Sequence, residues 1–501
     1  MSNKVPIRML SSGVPGFDEV LGGGIPEFSL NLIVGGAGSG KTTLGHQIMF
    51  ANASPERKAL FFTVIGEPPL KMLRYMQQLS FFDASKVEDS IRFIHLGEEA
   101  QAGGLGKVLE RILKEVDEAS PAIVVVDSFR AVLKRTLAGS NGELDVQDFM
   151  QRLALHLTSC EATTFMLGEY GADESQDNSV FTVADGIVVL SQAVERNSVV
   201  RKLQVQKMRG QAQIPGLQTM RITDDGIKVF PRLQKPIEGT GFAKPLENRI
   251  TTGVPVLDEM TGGGIPRGYS VLVAGPSGSG KTVLSNGFIL DGIRRGEPGV
   301  IAVFEKRPND YLQTTPHGDA FDGLLKDKKL EIVYVRPLDL SIDETMTALR
   351  DAVLRIGAKR AVIDSLSGLE LALAPTFRED FRESLYRMVG ALTGMGVTVM
   401  STVELPDSFT VLQFSPHGIA FLCDAIIMQR YLQIDGQLKR AVSVVKVRGS
   451  QHSKDLREYE INSKGVLVIG EPLALYDGLL TGSPALRGGQ HATGGSRPRT
   501  P

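Results

Sequence analysis

The sequence predicts an α/β protein of two tandem domains, each with a mostly parallel sheet flanked by helices. A glycine-rich motif occurs twice, with its lysines, Lys41 and Lys281, 240 residues apart. The repeat extends beyond this motif, because Ser12–Glu19 recurs as Thr252–Glu259 at the same interval. Short apolar runs alternate with helical patterns, which is typical of a parallel sheet covered on both faces.

Both copies of the motif fit the pattern G-x-x-x-x-G-K-[ST] of a phosphate-binding loop. In such a loop the backbone amides surround phosphate oxygens, the lysine reaches the outer phosphates, and the hydroxyl binds Mg²⁺. We therefore expect each half to bind ATP and Mg²⁺. The predicted nucleotide contacts are Gly36, Ala37, Gly38, Ser39, Gly40, Lys41, Thr42 and Thr43, and then Pro276, Ser277, Gly278, Ser279, Gly280, Lys281, Thr282 and Val283.

The remaining elements follow from apolar periodicity. Helices are predicted to open at Lys41 and Lys281, and two more lie at Leu105–Ala119 and Asp145–Thr158. The predicted strands, after one that precedes each loop, are Ala59–Val64, Ile91–His95, Ala122–Val126, Thr164–Leu167 and Gly186–Leu190, repeated as Val300–Phe304, Glu331–Val335, Ala361–Ile363, Thr398–Thr402 and Ala425–Gln429. The order is the same in the two halves, as a duplicated domain requires.

Composition places the domain boundaries. A Pro-, Gly- and Lys-containing stretch suggests a linker at 236–246, between an amino-terminal domain at 1–235 and a carboxy-terminal domain at 247–481. The stretch 482–501 is rich in Gly, Ser, Arg and Pro, and we expect it to be disordered.

Charge and cysteine content exclude several classes of protein. The formal net charge is −2, which gives no electrostatic case for nucleic acid as the obligatory partner. The two cysteines, Cys160 and Cys423, show no metal-binding or redox spacing, so we interpret them as buried thiols. Since the sequence offers neither a leader pattern nor an apolar run of membrane-spanning length, we expect no membrane association and a cytoplasmic location.

An acidic residue ends one apolar strand in each half. Asp127 follows Ile123–Val126, and Asp364 follows Ala361–Ile363. A single such aspartate would be read as a cap for the next loop. Its recurrence downstream of both phosphate loops favours a magnesium role, in which the carboxylate orients the metal's water shell.

A glutamate that activates water is expected at the tip of the strand after the phosphate-loop helix. The second half offers Glu305 directly after Val303 and Phe304, whereas the first half offers Glu67, shifted by one or two residues. The alternative for each is an ordinary surface glutamate. The position of Glu305 favours the catalytic interpretation more than that of Glu67 does.

A Lys-x-Arg-Gly sequence occurs late in each half, as Lys207 and Arg209 and again as Lys446 and Arg448. Both pairs follow an alternating run, so each Lys and Arg would share one face at a strand end. The pairs would discourage edge-to-edge aggregation in one interpretation. Their recurrence favours cations that stabilise phosphoryl transfer, directed at a neighbouring subunit's nucleotide.

These four elements, duplicated in this order over Pro6 to about Pro484, resemble the KaiC family of circadian-clock ATPases, whose domains are RecA-like. The resemblance implies a double-ring homo-hexamer that holds ATP between protomers, with the Lys-x-Arg residues reaching the neighbour's nucleotide. It also implies that Thr42 and Thr282 are magnesium ligands and that Glu305 is the catalytic glutamate of the second domain.

The chain departs from the family pattern at two places. The family's first domain has two adjacent glutamates where this chain has Gly66 and Glu67, so the resemblance allows slow or altered hydrolysis there. The family's autophosphorylated Ser-Thr pair falls, by an ungapped count back from Asp424, on Ala420 and Phe421, which lack hydroxyls. The substitute acceptors near this point are Ser408, Thr410 and Ser415.

Four functions remain open from the sequence. The leading one is a hexameric ATPase that couples hydrolysis to protein partners, KaiB-like or signalling, in timing or signalling. The alternatives are a serine/threonine autokinase with relocated acceptors, a DNA-dependent ATPase of RecA/DnaB type, and a scaffold whose first half binds ATP only to hold subunits together.

Overall fold

The structure is a computed structural model of the chain. The residues described are 6–63, 69–102, 104–128, 142–170, 179–195, 198–232, 248–316, 318–335, 341–373, 381–405, 416–434, 436–474, 476–477 and 485–486. The chain divides into two compact units, Met1–Gln234 and Lys235–Pro501.

The first unit is built on a nine-stranded sheet. Six strands run parallel, and three antiparallel strands extend one edge. In spatial order from the antiparallel edge the strands are Gly226–Phe230, Gln218–Thr223, Ser198–Met208, Gly186–Glu195, Leu30–Gly35, Thr163–Gly168, Ile123–Asp127, Ala59–Thr63 and Ile91–His95. The strand that leads into the phosphate loop is thus central.

Helices cover both faces of this sheet. They are Phe17–Leu21, Lys41–Asn52, Pro69–Met76, Gly97–Ala102, Gly104–Ala119, Gly142–Ser159 and Ser179–Val183, with a 3₁₀ turn at Ala84–Lys86 and a short strand pair of Met9–Leu10 with Ile25–Pro26. Alternate residues of one strand enter two different cores: Leu32 and Val34 pack into one and Ile33 into the other. Burial on both faces explains why the central parallel strands, such as Ala59–Thr63 and Ile123–Asp127, are almost wholly apolar.

The second unit repeats this arrangement. Its nine strands, in spatial order from the parallel edge, are Leu330–Tyr334, Gly299–Val303, Arg360–Asp364, Thr398–Glu404, Ser270–Gly275, Ala425–Ile434, Gln437–Val447, Arg457–Ile461 and Leu467–Pro472. Its helices are Pro255–Met260, Lys281–Arg294, Pro308–Thr314, Gly318–Lys326, Ile342–Ile356, Leu366–Ala372 and Phe381–Gly394, with a 3₁₀ helix at Pro416–Leu422. A two-strand pair, Arg249–Ile250 with Ile265–Pro266, matches that of the first unit.

The predicted fold class is confirmed: each half is an α/β domain with a mostly parallel sheet between helices. The phosphate-loop helices begin at Lys41 and Lys281, as predicted. The strands begin and end within one residue of prediction in most cases, although Gly186–Glu195 and Ala425–Ile434 run five residues further. Those two strands continue because each pairs with a long antiparallel neighbour beyond the parallel part of the sheet.

The direction of the parallel strands determines which end of each sheet can bind a ligand. Their carboxyl ends meet at one edge of each sheet, where parallel α/β sheets bind ligands. The predicted linker at 236–246 lies outside the described residues. Of the predicted tail, the structure describes Ala485–Leu486, which pair with Tyr476–Asp477.

Candidate functional site

Each phosphate loop joins the end of a central strand to the first turn of a helix. Gly40 and Gly280 precede these helices in the left-handed region, with φ of 101° and 97°. A β-carbon on Gly280 would lie 2.6 Å from Ile461 Cδ1, and one on Gly40 would lie 2.8 Å from Ile222 Cδ1. Glycine is therefore required at this position both by conformation and by space.

The loop residues predicted to contact nucleotide occupy equivalent places in the two halves. Between strand and helix lie Gly36, Ala37, Gly38, Ser39 and Gly40, and likewise Pro276, Ser277, Gly278, Ser279 and Gly280; in the first helical turn lie Lys41, Thr42 and Thr43, and likewise Lys281, Thr282 and Val283. The free amides of a helix amino terminus face this loop, which makes the site suited to an anion.

Each phosphate-loop lysine donates hydrogen bonds to two backbone carbonyls at the start of its own loop. Lys41 Nζ donates to the carbonyls of Gly35 and Gly36, both at 2.8 Å. Lys281 Nζ donates to the carbonyl of Gly275 at 2.9 Å and to that of Pro276 at 2.7 Å. Each ammonium is thus held directly over the loop, where the phosphates of a nucleotide would lie.

In the first half the threonine hydroxyl and the strand-end carboxylate meet directly. Thr42 Oγ1 donates to Asp127 Oδ2 at 2.7 Å. Burial raises the pKa of Asp127, although the Thr42 hydrogen bond and the Lys41 charge oppose the shift. Burial also lowers the pKa of Lys41, against the opposing effects of Glu169 and Asp127.

The second half holds its carboxylate more firmly. Thr402 Oγ1 donates to Asp364 Oδ1 at 2.6 Å, and Thr282 also hydrogen-bonds this carboxyl. Burial raises the pKa of Asp364, and the nearby Glu305 adds to the rise, whereas the two threonines and Lys281 oppose it.

These residues fit a magnesium ion. Mg²⁺ prefers hard oxygen ligands, and each half brings a threonine hydroxyl and a carboxylate together beside the phosphate loop. Burial raises the pKa of each carboxyl, and the neighbouring threonines and lysine offset this rise only in part. A divalent cation at this place would supply the missing compensation.

Glu305 lies beside the strand-end carboxylate of the second half, Asp364. Its Oε1 accepts a hydrogen bond from Ser365 Oγ at 2.7 Å, and Ser365 directly follows Asp364. One cavity of about 470 Å³ is lined by Glu305, Lys281, Thr282, Asp364 and Ser365. The structure thus brings the predicted base, the loop lysine and the predicted metal ligands of the second half into a single site.

Sequence reasoning missed several residues of this cavity. Tyr311 and Thr315 line it, and both hydrogen-bond Asn286 of the phosphate-loop helix. The Tyr311 hydroxyl donates to Asn286 Oδ1 at 2.6 Å, and Asn286 Nδ2 donates to Thr315 Oγ1 at 2.7 Å. Glu404, the last residue of its strand, also lines the cavity. A polar residue at a strand's carboxyl end was the available signal for Glu404, whereas Asn286 lies within an apolar helix pattern.

The first half differs at the matching positions. His46 replaces Asn286 at the repeat interval of 240; it is buried and stacks on Phe61, with ring centroids 4.6 Å apart. Burial lowers the pKa of His46 to about 3, so it is neutral. Ser39 Oγ is buried and has no hydrogen-bond partner within the described ranges, whereas its counterpart Ser279 donates to Gln429. Glu67 lies outside the described residues.

The Lys-x-Arg residues lie near the amino-terminal ends of the parallel strands, whereas the phosphate loop of each unit lies at their carboxyl ends. Arg209 pairs with Asp185 at 3.1 Å, and Asp185 Oδ2 accepts the amide of Leu30, the first residue of the central strand. Lys207 donates to the carbonyl of Thr182 at 3.3 Å. Strand Leu30–Gly35 therefore places roughly 17 Å between this end of the sheet and the loop of the same unit.

The second pair anchors the segment where the family's acceptors would fall. Lys446 Nζ donates to the carbonyl of Cys423 at 2.7 Å, and Arg448 pairs with Asp424 at 3.1 Å. Ala420 and Phe421 lie in the 3₁₀ helix Pro416–Leu422, and Phe421 is 54% exposed. The substitute acceptors Ser408, Thr410 and Ser415 lie outside the described residues.

The two cysteines differ in their surroundings. Cys423 is buried, as expected, and burial raises the pKa of its thiol to about 12. Cys160 is partly exposed rather than buried, because it follows the last turn of helix Gly142–Ser159. No helix in the described part of the chain is both long enough and apolar enough to cross a bilayer.

Fold and site together define a tandem P-loop protein of RecA-like architecture. The family model for the KaiC ATPase matches residues 10–234 and 250–472, and the chain belongs to this family. The chain is 27% identical over 488 residues to the circadian clock oscillator protein KaiC of Rippkaea orientalis, covering 95% of this chain and 92% of the relative.

Two further relatives show similar coverage. The circadian clock protein KaiC3 of Synechocystis sp. is 27% identical over 493 residues, which is 95% of each chain. The circadian clock oscillator protein KaiC of Synechococcus elongatus is 26% identical over 491 residues, which is 95% of this chain and 92% of the relative. The similarity therefore extends over both domains, at a level of identity that leaves room for altered function.

Proposed function

We propose that this protein is a magnesium-dependent ATPase whose second half hydrolyses ATP and whose first half chiefly binds it. The observation that supports this division is the grouping of Glu305, Ser365, Asp364 and Lys281 around one cavity. The family relationship supports ATP as the nucleotide.

The residues of the second half have distinct tasks in this proposal. Lys281 and the helix amino terminus bind the outer phosphates, while Thr282 and Asp364 hold Mg²⁺. The metal, when bound, neutralises charge that develops on the phosphoryl oxygens. Glu305 orients the attacking water and accepts its proton, and the Ser365 hydroxyl fixes the direction of the Glu305 carboxylate.

The first half keeps the nucleotide-binding parts. Its lysine, threonine and strand-end carboxylate have the arrangement found in the second half. Its glutamate, Glu67, is displaced along the sequence from the expected position. We therefore assign ATP binding to this half, with slow hydrolysis at most, and a role in holding subunits together.

The Lys-x-Arg pairs support assembly. Arg209 lies at the amino-terminal end of the central strand of its sheet, so the phosphates bound by the loop of its own unit are out of its reach, and a neighbouring chain is the proposed source of any phosphate it contacts. The same geometry holds for Arg448, because Asp424, its partner, accepts the amide of Ser270 at the start of the second central strand. A homo-hexameric ring with ATP between protomers satisfies both pairs.

Coupling to protein partners completes the proposal. In such a ring the nucleotide lies at the subunit interfaces, so its hydrolysis would change the conformation of the ring. KaiB-like or signalling proteins in the cytoplasm are the candidate partners that bind one of these conformations. The near-neutral charge of the chain argues against nucleic acid as the partner.

The test is a comparison of Lys41→Ala with Lys281→Ala in one preparation, measuring oligomer size, phosphate release and incorporation of the γ-phosphate. We expect Lys41→Ala to reduce assembly and Lys281→Ala to remove most hydrolysis. Equal turnover by both halves would contradict the division of labour. Label on Ser415 or its neighbours would instead favour the autokinase.

A further inference from the structure

Two helices of the first unit bring three metal-ligand groups together. Asp117 lies near the end of helix Gly104–Ala119. His156 lies in the last turn of helix Gly142–Ser159, and Cys160 is the first residue after that helix. His156 Nε2 is 2.8 Å from Asp117 Oδ1, and Cys160 Sγ is 3.9 Å from the same oxygen. The three ligand atoms all lie within 4.8 Å of one another.

The backbone explains how the cluster forms. The amide of Cys160 donates to the carbonyl of His156 at 3.0 Å, so Cys160 continues the helical spiral one turn beyond His156. Residues four apart on a helix project from the same face. Packing of Val116 and Leu157 into the same core then brings Asp117 of the neighbouring helix to that face.

The distances suit a tetrahedral ion. With bonds of about 2.0–2.3 Å to nitrogen, oxygen and sulfur, neighbouring ligands around Zn²⁺ are separated by ~3.3–3.8 Å. The two separations to Asp117 Oδ1, 2.8 and 3.9 Å, lie on either side of this range, and the third, between His156 and Cys160, is within 4.8 Å, so side-chain rotations would bring all three atoms around one ion. One imidazole, one thiolate and one carboxylate form a ligand set that zinc accepts, with a fourth position left for solvent.

We propose that Asp117, His156 and Cys160 form a zinc site that joins these two helices. Asp117 is 59% exposed and His156 is 29% exposed at the side chain, so an ion reaches the cluster from solvent. Burial and the neighbouring Asp117 raise the pKa of the Cys160 thiol, so the free thiol is protonated at neutral pH. Binding replaces the S–H bond by an S–Zn bond and releases that proton to solvent.

The proposal does not depend on the nucleotide sites. None of the three residues belongs to a phosphate loop, to a strand-end carboxylate or to a Lys-x-Arg pair. The alternative is that Asp117 and His156 form an ordinary surface ion pair and that Cys160 lies beside it without a function. These two interpretations differ in whether the thiol binds metal.

Cobalt absorption separates them, because Co²⁺ occupies zinc sites and a thiolate ligand gives a charge-transfer band in the near ultraviolet. The full-length chain is titrated with Co²⁺ in excess Mg²⁺, which saturates the magnesium sites. We expect one Co²⁺ per chain, a thiolate band, and loss of the band when Zn²⁺ is added. Absence of the band from the wild-type protein would overturn the proposal.

The chain supplies a matched control, since its only other cysteine is Cys423. Cys160→Ser should abolish the band, whereas Cys423→Ser should leave it unchanged, with circular dichroism showing that both variants are folded. His156→Gln should weaken cobalt binding by more than the ~10- to 100-fold typical of losing an outer-shell partner. A band that persists in Cys160→Ser would place the metal elsewhere and refute the site.

Discussion

The hydroxyl of Ser365 donates a 2.7 Å hydrogen bond to Glu305 while its oxygen accepts the amide of Gly368 at 3.0 Å. Ser365 therefore caps helix Leu366–Ala372 and also orients a carboxylate that lies two residues beyond the end of the neighbouring strand Gly299–Val303. Glu305 also lies close to Gly368, where a β-carbon would be 2.6 Å from its Oε1. The side chain of Glu305 is exposed, but its carboxylate is oriented by the helix-capping serine and has room to lie there because residue 368 is glycine.

The first prediction concerns this hydrogen bond. Ser365→Ala should lower ATP turnover by on the order of tenfold, because a hydrogen bond to a charged group is lost and Glu305 is less well oriented. Loss of the helix cap should also cost about 1 kcal/mol of stability. Steady-state phosphate release measures the first effect. Ser365→Thr restores a hydroxyl and should recover most of the activity; if it does not, the hydrogen bond is not the cause.

The second prediction concerns Asp364, the proposed magnesium ligand of the second half. Burial raises the folded-state pKa of Asp364 above its unfolded value. A carboxyl with a raised pKa favours folding below its unfolded pKa, and this contribution is lost as the pH rises through the folded value. At neutral pH Asp364→Asn should therefore leave the metal-free protein equally or more stable, while magnesium-dependent turnover is lost.

Two measurements test the predicted direction of the stability change: thermal unfolding in the presence of a chelator, and phosphate release in Mg²⁺. A variant that melts much lower without metal yet still hydrolyses ATP would mean that Asp364 is a structural residue. Asp127→Asn provides the comparison in the first half, since burial raises the pKa of that carboxyl too.

The third prediction concerns action between chains. If Arg209 reaches a neighbour's nucleotide, Arg209→Ala subunits mixed with wild-type subunits should lower turnover at wild-type sites. The measurement is phosphate release from mixtures of defined ratio. A loss strictly proportional to the fraction of variant would show that Arg209 acts within its own chain.

The fourth prediction concerns a buried arginine. Arg360 is 1% exposed; its Nε donates to Glu297 at 2.8 Å, and its Nη1 donates to the carbonyls of Thr251 and Phe288, each at 2.8 Å. Arg360→Ala should destabilise the second unit by about 3–5 kcal/mol, because it leaves a cavity and deprives the carbonyls of Thr251 and Phe288 of their donor, although Glu297 keeps its ion pair with Arg267. Denaturant unfolding measures the loss.

Arg295 is the matched control for Arg360. It pairs with Asp291 at 3.0 Å, but its side chain is 58% exposed. Arg295→Ala should cost at most about 0.5 kcal/mol, as exposed pairs one helical turn apart do. Equal losses for the two variants would mean that burial of the ion pair is not what stabilises this region.

The sequence predicted the parts of the fold and site that local patterns determine. The phosphate loops, the strands that end in Asp127 and Asp364, and the Lys-x-Arg turns depend on neighbouring residues and on their recurrence. Prediction failed where a partner comes from a distant segment. Ser365 is 60 residues from Glu305 in sequence, and the two meet because strands Gly299–Val303 and Arg360–Asp364 are adjacent.

Arg360 and Cys160 were missed for the same physical reason. Arg360 directly precedes an apolar strand pattern, and its partner Glu297 lies 63 residues earlier in the chain. Cys160 lies four residues after His156, a spacing that was visible, but Asp117 comes from another helix 43 residues before Cys160. Tertiary packing alone brings such groups together, so apolar periodicity carries no signal for them.

The central claim, that hydrolysis belongs to the second half, is tested most directly by ATP turnover of Glu305→Gln beside Glu67→Gln. We expect Glu305→Gln to lower turnover at its own site by ~10²- to 10⁴-fold, leaving only the small contribution of the first half, with nucleotide binding retained. Glu67→Gln should keep most of the wild-type rate. Loss of most turnover in Glu67→Gln, or a near-normal rate in Glu305→Gln, would contradict the account.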